Sequence, residues 1–167
     1  EADVYVINTC TVTNFGDKKS RQLIRKVKRQ NENAIVCVVG CYAQTAPQEL
    51  EKVEGVNLVL GTKDRAQIVE MVENYKVENG VESHVSDIMK ERLFEPLSIQ
   101  KLANRTRAYL KIQDGCSQFC SYCIIPYARG PIRSRDPQDV LAEVKRLAEN
   151  GFKEVVLTGI HVASYGK

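Results

Sequence analysis

Asp3-Val4-Tyr5-Val6-Ile7-Asn8, Ala34-Ile35-Val36-Cys37-Val38-Val39 and Val56-Asn57-Leu58-Val59-Leu60 are the three stretches that decide the fold. Each is a short run dominated by β-branched and aliphatic residues, of the length of a buried strand and too brief for a helix. Between them the spacing becomes helical. Asp17 to Asn31 sets Leu23, Ile24 and Val27 on one side and Lys18, Arg21, Arg25 and Lys28 on the other, as an amphipathic helix does. Pro47 stands near the start of a second helix running to about Val53, and Asp64 suits the N-cap of a third that ends near Asn74. This alternation predicts an α/β fold, an open parallel βαβ sheet covered by helices.

The pattern breaks between Tyr75 and Asn104. Asn79-Gly80, between Lys76-Val77-Glu78 and Val81-Glu82-Ser83, predicts a two-residue hairpin turn, and a mixed polar stretch follows through Pro96. Regular structure resumes with Ala108 to Ile112 as a strand, a cysteine-rich loop, a helix from Asp136 to Glu149 stopped by Gly151, and a strand from Glu154 to Leu157. That is a second βαβ unit. The chain thus reads as an N-terminal domain over 1–75, a linker or hairpin connection over 76–104, and the beginning of a second domain over 105–167.

With 167 residues the chain is about one domain by size, so any larger architecture is expected to be truncated here. The first residues lack an initiator Met, which places the expected N-terminus upstream, and they lack a secretory signal. Its longest wholly apolar run, Ala34 to Val39, is far below the ~18 residues of a membrane span, so no membrane partner is expected. The net charge of +3 is too small to argue for nucleic acid, and local clusters must carry that case. Six cysteines do not form a disulfide scaffold in this pattern: three lie within eight residues and the others sit in or just past predicted strands. A reducing, cytoplasmic compartment and metal thiolates are the expectation.

Cys116, Cys120 and Cys123 form Cys-x3-Cys-x2-Cys in the loop after the Ala108 to Ile112 strand. Three thiolates on a four-iron cube leave one iron open for a chelating ligand. Zinc is the competing reading; it normally takes a fourth Cys or His, and only His84 and His161, distant in sequence, are available. Cys10 and Cys41 each fall just past the carboxyl end of a predicted parallel strand, where open α/β sheets gather ligands; as single residues they also suit small apolar strand ends. Cys37, inside its strand, reads as core filler.

Asp114-Gly115-Cys116-Ser117-Gln118-Phe119-Cys120-Ser121-Tyr122-Cys123-Ile124-Ile125-Pro126-Tyr127-Ala128-Arg129-Gly130, followed by Arg133-Ser134-Arg135, resembles the radical S-adenosylmethionine (SAM) methylthiotransferases. Asn8-Thr9-Cys10-Thr11-Val12-Thr13 and Val39-Gly40-Cys41-Tyr42-Ala43-Gln44 resemble the second and third cysteine motifs of that family's N-terminal domain. The resemblance implies a radical SAM (β/α) barrel that begins in this chain and two 4Fe-4S clusters. Cys116, Cys120 and Cys123 would hold the SAM-binding cluster, while Cys10, Cys41 and a cysteine upstream of Glu1 would hold an auxiliary one. It also implies SAM contacts at Gly159, in Thr158-Gly159 after the second barrel strand, and at Tyr122; a turn and loop packing are the plainer readings of those two residues.

Asn8 to Thr13 and Leu157-Thr158-Gly159-Ile160-His161 look most like the branch that converts N6-threonylcarbamoyladenosine beside the tRNA anticodon to its 2-methylthio derivative. The implied partners are tRNA and a reducing electron donor, and the protein is expected to act as a monomer. This piece alone is expected to be inactive. Arg105, Arg107, Arg129, Arg133, Arg135 and the Lys18-Arg21-Arg25-Lys28 face are candidates for contacting phosphates or other anionic groups. The alternatives are a methylthiotransferase acting on another tRNA adenosine or on a ribosomal protein aspartate, and a non-catalytic metal-binding or docking module.

Overall fold

A computed structural model describes residues 2–11, 13–63, 65–98 and 106–167. Asp64 and Arg105, expected above as a helix cap and a phosphate contact, lie outside the described residues. The chain runs β1 (Val4–Thr9), α1 (Asn14–Gln30), β2 (Ile35–Gly40), α2 (Cys41–Thr45), α3 (Pro47–Glu51), β3 (Leu58–Leu60), α4 (Ile68–Asn74) and β4 (Glu82–His84). The four strands form one parallel sheet in chain order, with Thr9 opposite Gly40 and Val39 opposite Leu60.

Alternation along β2 explains why this sheet needs helices on both faces. Val36 and Val38 join Ile7 and Val59 under Ile24 and Val27 of α1, Tyr42 and Ala43 of α2, and Leu50 of α3. Cys37 and Val39 point the other way, with Leu58 and Leu60, and meet Val72 of α4 and Tyr75. Burial pushes the Cys37 thiol up to about 11, so it stays protonated and inert at neutral pH. The expected second helix forms from Pro47 but ends at Glu51, and a short helix not expected from the sequence, α2, precedes it. Ala46 adopts φ −142°, as a residue before proline is driven to do, and Pro47 begins α3. On α1 the buried stripe is Ser20, Ile24 and Val27; Leu23, expected on the apolar side, is exposed because it stands about 100° around the helix from Ile24.

The Asn79-Gly80 hairpin is not formed. Val77–Asn79 make a 3-10 turn, and Glu82–His84 instead pair in parallel with β3, Leu58 opposite Glu82. The phenol of Tyr75 donates to Gly80 O at 2.8 Å and accepts from Asn57 at 3.0 Å, which ties this turn to the start of β3 and carries the following residues to the open sheet edge. The first sheet therefore reaches into the 76–104 stretch.

The second region contains β5 (Arg107–Lys111), β6 (Gln113–Asp114), α5 (Ile125–Arg129), β7 (Arg133–Ser134), α6 (Pro137–Glu149) and β8 (Glu154–Thr158). As expected, β5 and β8 pair in parallel across α6, with Ala108, Leu147 and Phe152 buried between. Asp136 caps α6 by accepting from Gln138 N and Asp139 N. The two-residue antiparallel ladder of β6 with β7 carries no sequence signal of its own. The regions meet where α2 packs on α5 and where the buried Thr62 hydroxyl donates to Ala128 O at 2.9 Å. Among the described residues no helix is long and apolar enough to cross a membrane.

Candidate functional site

Cys10 and Cys41 follow directly on Thr9 and Gly40, which are partners in the β1–β2 register. Gly40 makes this possible. Its φ is +102°, and a Cβ there would stand 2.5 Å from Thr9 O and 2.6 Å from the Asn8 side-chain oxygen. The Thr9 hydroxyl donates to Val39 O at 2.7 Å, locking the two strand ends together. The two cysteines thus leave neighbouring strand ends, Cys10 exposed and Cys41 buried at the start of α2.

Cys116, Cys120 and Cys123 lie on the loop between β6 and α5, the outer two half-buried and Cys120 exposed. The loop is anchored at its root. Gly115 has φ +75°, and an added Cβ would fall 1.9 Å from Pro131 O, while Cys116 N donates to Gly130 O at 3.0 Å. Cys123 N donates to Cys120 O, and Phe119, with a positive φ of 48°, sets its ring edge-on to Tyr127 at 5.8 Å. Tyr122 is 90% exposed, so packing within the loop does not account for it.

All six cysteines are free thiols. Among the described residues no three His, Cys, Asp or Glu side chains stand together as a metal site. The donor set of the loop nevertheless fits an iron–sulfur cluster: residues 115–124 contain three cysteines and no histidine or carboxylate, which is soft-ligand chemistry. The helix that follows the loop, α5, packs on α2, the helix beginning at Cys41, so the loop is joined to the first sheet through that contact.

Gln113, which the motif reading passed over, organises this junction together with Gly159 and Asp114, which that reading quoted. Gln113 is fully buried; its amide donates to Asp114 O at 2.9 Å and Gly115 O at 2.7 Å, and its carbonyl accepts from His161 N at 2.7 Å. It therefore ties the root of the cysteine loop to the turn after β8. Gly159 belongs to the same junction: a Cβ there would meet the Gln113 carbonyl oxygen at 2.8 Å, so the glycine is required by this close approach. Asp114 accepts from Gly115 N at 2.9 Å and Lys111 at 2.7 Å, with Arg129 and Arg133 each at 3.9 Å. Burial raises its carboxyl pKa, but these cations and the amide outweigh burial and hold it below the ordinary value.

Arg133 and Arg135 are buried behind the loop. Arg133 donates to Arg129 O at 2.8 Å, and Arg135 lies 3.9 Å from Glu143 of α6, so both of these candidate anion contacts are engaged within the fold, with Nε of each left without a hydrogen-bond partner. Arg107 pairs across the β5–β8 ladder with Glu154 at 2.7 Å. Beside Asp114 and Arg133 a cleft of about 200 Å³ opens between the regions, lined also by Thr62, Lys63, Ile88 and Phe94.

Residues 110–166 match the profile of the radical SAM superfamily, and residues 1–61 match that of the uncharacterized protein family UPF0004. A threonylcarbamoyladenosine tRNA methylthiotransferase MtaB from Bacillus subtilis is 54% identical over 99% of this chain and 37% of its own length, and one from Aquifex aeolicus is 46% identical over 99% and 40%. The chain belongs to the radical SAM methylthiotransferase family. A further member, the tRNA-2-methylthio-N(6)-dimethylallyladenosine synthase of Clostridium novyi, is 38% identical over the whole chain and 38% of its own length. The chain spans about two fifths of the length of these curated relatives.

Proposed function

We propose that the protein to which these residues belong is a tRNA-modifying enzyme that places a methylthio group on C2 of N6-threonylcarbamoyladenosine next to the anticodon, using SAM and two 4Fe-4S clusters and acting as a cytoplasmic monomer with a reducing electron donor. The observation that carries this reading is the all-thiol loop Cys116, Cys120 and Cys123, followed by α5, which packs on the helix that starts at Cys41. Cys116, Cys120 and Cys123 would hold the SAM-binding cluster, and Cys10 and Cys41, with a third cysteine upstream, the auxiliary one. When bound, these groups supply one-electron cleavage of a SAM carbon–sulfur bond and the sulfur to be delivered.

This chain's own residues supply position. Gly115 and Gln113 hold the loop root against the β8 turn, Asp114 fixes Lys111 and Arg129 behind it, and Tyr122 offers a ring on which an adenine can stack. The threonylcarbamoyl substrate is favoured because the relatives at 46–54% identity carry that name. A dimethylallyladenosine substrate is the second reading, favoured by the synthase that is 38% identical over the whole of this chain. The domain division 1–75, 76–104 and 105–167 belongs to this proposal, with β4 carried over from the connecting stretch into the first sheet.

The test is iron, acid-labile sulfide, visible and EPR spectra of anaerobically reconstituted protein, beside Ala variants of Cys116, Cys120 and Cys123. Loss of about four irons with those three cysteines, and a spectrum perturbed by SAM, is expected. Stoichiometric zinc with no response to SAM would overturn the reading. Mass spectrometry of tRNAs carrying either adenosine modification then separates the two substrates.

A further inference from the structure

The positive charge of this chain is concentrated in one helix. Seven of its 24 Lys and Arg lie in α1 with one acidic residue, Asp17; the chain's +3 is a helix at +6 set against a remainder at −3. The structure sorts six of these cations into two kinds, Lys19 standing at the margin of the second. Arg21 is turned inward to the Tyr42 hydroxyl, and Lys28 folds over the helix end to donate to Glu32 O at 2.9 Å and Ala34 O at 2.7 Å. Lys18, Arg25, Lys26 and Arg29 are exposed. At 100° per residue these four fall within an arc of about 100°, opposite the buried Ser20, Ile24 and Val27 and clear of Asp17. From Lys18 to Arg29 the strip runs about 16 Å along the axis.

Its direction gives it meaning. α1 starts just beyond the Cys10 strand end, capped by Thr13, and runs from there back toward the N-terminal ends of the strands, where Arg25 and Arg29 border a groove of about 530 Å³ with Lys28, Glu32, Glu54 and Gly55. A strip of four cations that begins beside the site and leads away from it complements a polyanion whose reactive end sits at the site. We propose that Lys18, Arg25, Lys26 and Arg29 form a docking rail for the phosphate backbone of an RNA stem, holding the helical arm while its loop reaches the cysteine-bearing end of the sheet. This rests on the tRNA reading above. The contacts are to phosphate, so they position the RNA and read no sequence.

The experiment uses the full enzyme and an unmodified tRNA transcript, with affinity measured by fluorescence anisotropy across a series of salt concentrations. The variant K18Q/R25Q/K26Q/R29Q is compared with a charge-matched control, K52Q/K76Q/K145Q/K153Q, drawn from exposed lysines elsewhere. Glutamine keeps helix propensity close to that of Lys and Arg. The rail variant is expected to bind about ten- to a hundred-fold more weakly than the control and to lose two to three from the slope of log K against log salt. An oligonucleotide of the loop alone should show no such difference. Equal affinity and slope in the two variants would overturn the rail while leaving the tRNA reading intact, and so would competition by polyglutamate as strong as by duplex RNA, which would assign the face to an acidic protein. A wild-type enzyme that binds no tRNA at low salt would instead remove the reading on which the rail depends.

Discussion

The two regions of the molecule are held together by opposite means. In the first, a parallel sheet is sealed on both faces by side chains such as Val38, Leu50, Leu58 and Val72, all nearly or fully buried. In the second, the apolar centre comprises Ala108, Leu147 and Phe152, while Gln113, Asp114, Arg133, Arg135 and Glu143 are buried beside it. Apolar burial is non-directional and tolerates small shifts, whereas buried polar groups demand particular partners. The region that carries the cysteine loop is therefore the one whose geometry is specified most narrowly. Its stability is correspondingly exposed to the loss of single bonds.

Four experiments break or sharpen this contrast. Leu58→Ala removes a fully buried side chain from the first sheet and is expected to cost about 3 kcal/mol, read from the urea midpoint. Gln113→Leu keeps the volume but strands His161 N and the carbonyls of Asp114 and Gly115; a loss of about 2 kcal/mol is expected. Fluorescence of a probe on Cys120 should then report a loosened loop, a response that Leu58→Ala should not reproduce below its own transition. Thr62→Val deletes the bond from the first region to Ala128 O and should cost about 1 kcal/mol, again by urea titration.

The smallest effect concerns Glu91, whose carboxyl is held below its ordinary value of 4.5 first by the hydrogen bond from Lys63 and then by the amide of Leu93. A depressed carboxylate stabilises the fold above its unfolded pKa and loses that contribution as pH falls through the folded value. The melting temperature of the wild type should therefore exceed that of Glu91→Gln at neutral pH, and the gap should close as pH drops below 4.5. A gap that stays constant into acid would show that the charge on Glu91 paired with Lys63 does not stabilise the fold.

The sequence reveals what repeats along it and conceals what is brought together across it. Runs such as Ala34 to Val39 and the 3.6-residue spacing of Ile24 and Val27 announce β2 and α1, because burial on one or both faces leaves a periodic trace. The β4 strand, Glu82-Ser83-His84, leaves none, being three polar residues at a sheet edge, and the adjoining Asn-Gly carries a strong local turn signal that the open edge of β3 overrides. The cysteine loop is readable for a related reason: its three thiols lie within eight residues of chain. Thr62 and Ala128 are 66 residues apart, and nothing in either neighbourhood marks their contact. The burial of Arg133 and Arg135 is equally invisible, since a cation beside a functional loop looks the same in sequence whether it faces solvent or Asp114 and Glu143.

The pairing of Thr9 with Gly40 has a thermodynamic consequence for the two thiols that follow. Cys10 and Cys41 are separated by 31 residues of chain, and drawing together the ends of a flexible segment of that length costs about 3 kcal/mol in length-dependent closure entropy. Hydrogen bonding of β1 to β2 has already closed this segment during folding. A ligand engaging both sulfurs therefore meets them with that closure cost already met, and its affinity falls with the integrity of the first sheet as well as with the loss of either thiol.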